Sequence, residues 1–324
     1  MKNGLRNLAA ALLLTTAIPW APALADARSE AQGSFDKALA LFNAGDYRAA
    51  RIEILRSLKA NPNDGKARLL AARTALELGS GVAAQTEIER AVAGGVPRDR
   101  TYHLTAHALL LQGDNTRALE TADPSRIPPQ FAAYAARIRG KALASLDRPA
   151  GARAEFDLAV RLAPGDADTL VDASRFYLVN GDRPKGEALV DQVLSKQPTH
   201  AKALLVKGNL VRSTQGLQPS LPYFNRALQA DPNNVEALLE RAATFGDLGR
   251  EKEARADIKR IYAFFPDHPL ALYLEAVIEA RAGNYAKAQE LMARHSVDEA
   301  LLAGLSATDE EESYTLGQKA QEIL

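Results

Sequence analysis

"LQADPNNVEALLERA", residues 228–242, sets a proline in a polar turn and follows it with an amphipathic run. Nearly the same phrase recurs as "LKANPNDGKARLLAA" from Leu58, "VRLAPGDADTLVDAS" from Val160, "LSKQPTHAKALLVKG" from Leu194 and "YAFFPDHPLALYLEA" from Tyr262. The starts, 58, 160, 194, 228 and 262, differ by multiples of 34. A fixed period of roughly 20 to 50 residues marks a repeat architecture, in which one supersecondary unit is stacked on its copies.

Laid on a period of 34 from Ala31, the chain takes eight units without an insertion: 31–64, 65–98, 99–132, 133–166, 167–200, 201–234, 235–268 and 269–302. The eighth position reads Ala38, Ala72, Ala106, Gly140, Ser174, Gly208, Ala242, Ala276. The twentieth reads Ala50, Ala84, Ala118, Ala152, Gly186, Ser220, Ala254, Ala288. Two helices approach closely only where side chains are small, so these columns mark where the helices of a hairpin cross. The twenty-fourth position (Ile54, Ile88, Ala122, Phe156, Val190, Phe224, Ile258, Met292) is bulky and apolar except in the third unit. Pro62, Pro164, Pro198, Pro232 and Pro266 share the thirty-second, where a residue without an amide hydrogen stops one helix and starts a turn. Mid-unit breaks such as "AGDY" (44–47), "NGDR" (180–183) and "AGNY" (282–285) carry the glycine that ends the first helix in a left-handed conformation.

These columns together resemble the tetratricopeptide repeat, from Ala31 to about Leu302. The fold this implies is all-α, a right-handed α-solenoid of eight helix-turn-helix units, each burying its apolar face only against its neighbours. Departures exist. The large aromatic expected at position four occurs only as Tyr102, and "ETADPSRIPPQ" (120–130) must truncate the second helix of the third unit, because Pro124, Pro128 and Pro129 forbid a regular helix.

The ends divide off. Lys2 and Arg6, the apolar run 8–18 and Ala23-Leu24-Ala25 form the three regions of a secretory leader, so residues 1–25 read as a signal peptide and the chain as exported, to the periplasm. The apolar run is too short for a membrane span, which needs about 20 residues. Asp26 follows the cleavage point in place of a lipidated cysteine, so a soluble mature protein is expected. Residues 303–324, with an acidic start at 309–312, read as a capping helix region.

The sequence holds 40 basic and 40 acidic residues; the leader carries two of the former and no acid, leaving 38 against 40. That balance offers no field for nucleic acid. With no cysteine, disulfides and thiol chemistry are excluded. "GSG" at 79–81 lacks both the G-x-S-x-G of a nucleophile elbow and the G-K-[ST] of a phosphate loop. His103 and His107 stand four apart on one helix face, a spacing that suits zinc, yet they are two ligands where three or four are needed. No enzyme, metal or cofactor is implied.

In the resembled family, positions two, five, nine and twelve of the first helix line a concave groove. Position nine here reads Leu39, Arg73, His107, Lys141, Arg175, Asn209, Ala243, Val277; position five adds His103 and Arg137, and position two adds Lys66 and Arg100. The resemblance thus implies a ladder of donors suited to carboxylates. The lysine and asparagine pair that chaperone-binding members of the family carry at positions five and nine is absent, since Asn209 pairs with Leu205. The reading is a non-catalytic interaction scaffold of the bacterial envelope that holds an extended acidic segment of a protein partner, with an acidic polysaccharide as the alternative ligand. More loosely, the chain resembles exported repeat proteins of exopolysaccharide and exosortase-type systems, in stretches such as "LLLQGD" and "GNLVRSTQG".

Overall fold

The computed structural model describes residues 20–294, with 20–28 described by backbone alone. The expected capping region and the leader up to residue 19 lie outside the described residues. The chain divides into two compact units, one ending at Leu111 and the other starting at Gln112. The first holds α1 (Trp20–Asn43), α2 (Tyr47–Ala60), α3 (Gly65–Glu77), α4 (Gly81–Ala93) and α5 (Tyr102–Leu111). The second holds α6 (Asn115–Thr121), α7 (Ala132–Ser145), α8 (Pro149–Leu162), α9 (Ala167–Val179), α10 (Arg183–Lys196), α11 (Ala201–Gln215), α12 (Leu217–Ala230), α13 (Val235–Asp247), α14 (Glu251–Tyr262), α15 (Pro269–Arg281) and α16 (285–294). Among the described residues there is no strand. Odd-numbered helices are the first helices of the repeats and even-numbered ones the second. Within each unit the hairpins stack in chain order, the all-α solenoid arrangement that the period predicts.

All sixteen small residues of the two crossing columns are buried. Their size is matched to what faces them. Where the twenty-fourth position is phenylalanine, the eighth is glycine: a Cβ on Gly140 would lie 3.1 Å from the Phe156 ring, and one on Gly208 would lie 2.5 Å from Phe224. Where the twenty-fourth is isoleucine (Ile54, Ile88, Ile258), the eighth is alanine. In the fifth repeat Ser174 Oγ donates to the carbonyl of Gly186 at 2.6 Å, tying the two columns directly. The core behind these crossings is closed to solvent: Phe156, Tyr177, Phe224, Leu204 and Ile258 are almost wholly buried.

Turns repeat as regularly as helices. The mid-repeat turn uses a left-handed residue, with φ of 80° at Gly45, 81° at Gly181 and 80° at Gly283. The fourth repeat places Asp147 there at φ 52°, the one non-glycine with positive φ among the described residues. Between repeats, the last residue of four periods caps the helix that follows, while His268 at the same position makes no side-chain cap. Asp64 accepts from Lys66 N, Asp166 from Thr169 N, His200 Nδ1 from Ala203 N and Asn234 from Ala237 N. A second device pins the proline turns. Gln192 donates to the carbonyl of Pro164 at 2.8 Å and Arg226 to that of Pro198 at 2.7 Å, with Arg260 bonding Pro232 in the same way. Each donor sits 28 residues after its acceptor.

The third repeat breaks the pattern as its prolines require. Helix α6 stops after 7 residues, against 14 in α8, α10 and α12. The segment 122–131 is fixed instead by Asp123, which accepts from Ser125 N at 2.8 Å and Ser125 Oγ at 2.7 Å, and by the buried Ile127.

Candidate functional site

In the first unit the sequence-predicted residues fall into two environments. Lys66 and Arg73 on α3 and Arg100 in a short 3-10 turn are exposed. The Arg73 guanidinium lies 4.6 Å over the ring of Phe42. His103 and His107 on α5 are 6% and 7% exposed, so they are core side chains. Burial, with the Arg73 charge adding to it, pushes His103 down to about 4. It is therefore neutral at pH 7 and adds no charge to a ladder. Among the described residues no three His, Cys, Asp or Glu side chains gather as a metal site.

In the second unit the predicted cations lie on one row of first helices, and they meet acids there. Arg137 on α7 is 5% exposed, with its guanidinium 3.8 Å from both Asp168 and Asp172 of α9 and 4.6 Å over the Tyr134 ring. Lys141 reaches Asp172 at 3.4 Å. Asn209 on α11 donates to Glu240 of α13 at 3.3 Å, and Arg212 pairs with the same carboxylate at 2.7 Å. Burial raises the Asp168 carboxyl, but Lys202 and Arg137 outweigh it and hold the group below its ordinary value. The pairing has a rule. Arg137 and Asp168, Lys141 and Asp172, Asn209 and Glu240 are each 31 residues apart, so a donor on one first helix meets an acceptor on the next.

Arg175 breaks that rule. Thirty-one residues on from it stands Val206, which has nothing to accept. Arg175 instead passes over α11 to Glu236 on α13, with a two-pronged bond of 2.6 and 3.0 Å. Beside it a cavity of about 360 Å³ opens between α9 and α11, with Leu178, Val179, Val206 and Leu210 as apolar wall and Asn209 and Arg183 as polar wall. Val179 is 86% exposed. Asn209 Oδ1 is buried with no donor among the described residues, although its amide nitrogen bonds Glu240.

The family model described as "Tetratricopeptide repeat" matches residues 35–100, 103–167, 172–235 and 220–269. The chain belongs to the tetratricopeptide repeat family. Among solved structures, yeast Tom70 is similar at 15% identity and a TM-score of 0.54, the match covering 92% of this chain and 63%, less than two thirds, of Tom70. A tetratricopeptide repeat protein from Parabacteroides merdae is similar at 14% identity and a TM-score of 0.48, covering 87% of this chain and 95% of that one. These likenesses concern the fold. No curated protein sequence matches the chain.

A tetratricopeptide array is a protein-interaction fold, generally without catalysis. In this one the predicted donors of the second unit do share a helix row, but Arg137, Lys141 and Asn209 are engaged by carboxylates of the next hairpin and Arg175 by one of the hairpin after it. The acids Asp172, Glu236 and Glu240 are the residues that sequence reasoning missed; the constant offset of 31 was the signal that could have found Asp172 and Glu240, whereas Glu236, 61 residues from Arg175, carries no such signal. Beside Arg175, the described residues leave a cavity with an unsatisfied amide oxygen and an arginine held by a distant, half-exposed glutamate. No helix among the described residues is long and apolar enough to cross a membrane.

Proposed function

We propose that this protein is a non-catalytic scaffold of the bacterial envelope, which binds an extended acidic segment of a partner protein along the first helices of the second unit. The site is centred on the cavity between α9 and α11. The observation that carries this reading is Arg175, a cation that lacks an acceptor on the neighbouring hairpin and borders an apolar cavity. A carboxylate of the partner replaces Glu236 on the guanidinium, an exchange of one two-pronged pair for another that releases the half-exposed Glu236 to solvent. Asn209 Oδ1 accepts an N–H of the bound backbone, and Val179 and Leu178 take an apolar side chain. The leader-like residues 1–25 support export. An acidic polysaccharide is the less favoured ligand, because a polyanion needs a surplus of positive charge and Asp168, Asp172, Glu236 and Glu240 offset the row.

The test is a photo-crosslinker at position 179, used in cells, followed by mapping of the captured segment. A synthetic copy of that segment is expected to bind the purified protein and to lose about tenfold in affinity when its acids become amides or when Arg175→Ala is introduced, since a charged hydrogen bond contributes roughly 1.5–3 kcal/mol. Equal binding after neutralisation of the peptide sinks the acidic reading.

A further inference from the structure

The truncation of α6 has left a vacancy that the array elsewhere fills with helix. A pocket of about 480 Å³ lies between the end of α6, α7 and α8, and its walls are Leu119, Pro124, Leu143, Gly151 and Ala154. This volume falls within the range of small-molecule sites, roughly 300–1,000 Å³. Gly151 keeps the α8 side bare: a Cβ there would sit 3.3 Å from Leu143 Cδ1. The rim at Asp123 is fixed by its bonds from Ser125.

Polar groups converge on the same pocket, and they are unevenly satisfied. Arg139 pairs with Glu155 at 2.6 Å through Nη2, but its Nε–H is buried with no acceptor among the described residues. A buried donor left without a partner is destabilising, so an acceptor arriving there is favoured. Arg148, exposed at the mouth, makes no ion pair among the described residues. The two acids are engaged: Glu155 holds Arg139, and Asp123 holds Ser125. What remains unpartnered is one buried inner N–H, which a small turn of Arg139 brings to the pocket, and one outer guanidinium above an apolar floor.

We propose that this pocket is a second binding site, separate from the first-helix row, which takes a carboxylate carried on a short branched apolar body. One carboxylate oxygen accepts from Arg139 Nε, the other faces Arg148, and the apolar body rests on Leu119 and Leu143. Two sources offer that chemistry, a free organic acid and the terminal leucine or valine of a protein chain.

The experiment uses the full chain labelled at leucine and valine methyls, titrated with N-acetyl-leucine and with its methyl ester. Saturable shifts of the Leu119 and Leu143 methyls with the acid, and a response about tenfold weaker with the ester or with Arg148→Ala, are expected. Ala154→Trp, on an exposed position of α8, fills the pocket and abolishes the shifts while the remaining spectrum stays folded. A heptapeptide ending in a free leucine carboxylate separates the sources: tighter binding than N-acetyl-leucine assigns the site to a chain terminus, equal binding to a free acid, and both uphold it. Equal shifts from acid and ester, or no saturable shift at all, overturn the proposal.

Discussion

Asp147 occupies a turn position that asks for glycine, at φ 52°. A side chain with a Cβ is strained in the left-handed region, though aspartate less than most. Asp147→Gly is therefore expected to raise the stability of the chain by about 0.5–1 kcal/mol, a net of relieved strain against the added freedom of the unfolded chain. Urea unfolding at pH 7 reads it, and a loss of stability would show that Asp147 is held by something other than the turn. His103 offers a second test. Its folded value of about 4 lies below the ordinary 6.5, so the unfolded chain takes up a proton that the folded protein refuses. The contribution of neutral His103 is complete above pH 6.5 and is lost as pH falls through the window down to 4, by about 3 kcal/mol in all. His103→Gln should flatten that part of the stability profile between pH 7 and 4.5; an unchanged slope would mean that the ring is not what titrates.

At the scale of the hairpin, the pairing of glycine with phenylalanine predicts a strict size rule. Gly208→Ala drives a methyl into the Phe224 ring and should cost about 1–3 kcal/mol. Adding Phe224→Leu should recover most of it, because the ring that clashes is gone; failure of the double variant to recover would place the strain in the backbone. This also explains what could be read in advance. Small residues, prolines and left-handed glycines act by excluded volume and backbone geometry, which a residue type carries wherever it stands, so crossings, turns and the broken third repeat were legible at Ala38, Pro232, Gly45 and Pro124. Ion pairs depend on reach between hairpins. The types of Arg137 and Lys141 announce donors, but only the packing of α7 on α9 shows that Asp168 and Asp172 answer them. The capping residues Asp64, Asp166, His200 and Asn234 also stood in one column and went unread, because histidine in that role does not look like aspartate.

Across the molecule, each hairpin of the second unit leans on the next, so stability there should follow neighbours. Hydrogen exchange on Gly208→Ala is expected to speed most in α11 and α12, less in α10 and α13, and least in α7. Uniform acceleration through the whole second unit would mean that it opens as a single block. Neutral balance overall, and acids answering cations along the first helices, make the two proposed sites local: they rest on positions where the internal pairing fails, at Val206 and beside α6.

The exception at Val206 ties the site to the number of modules. Excising 201–234, one full period, would set Glu240 in the slot Val206 now holds, 31 places after Arg175. The shortened protein would then regain an ordinary neighbour contact and lose its opening in the same event. Array length and the opening beside Arg175 are therefore a single property of this chain, since the loss of one period closes what the present spacing keeps apart.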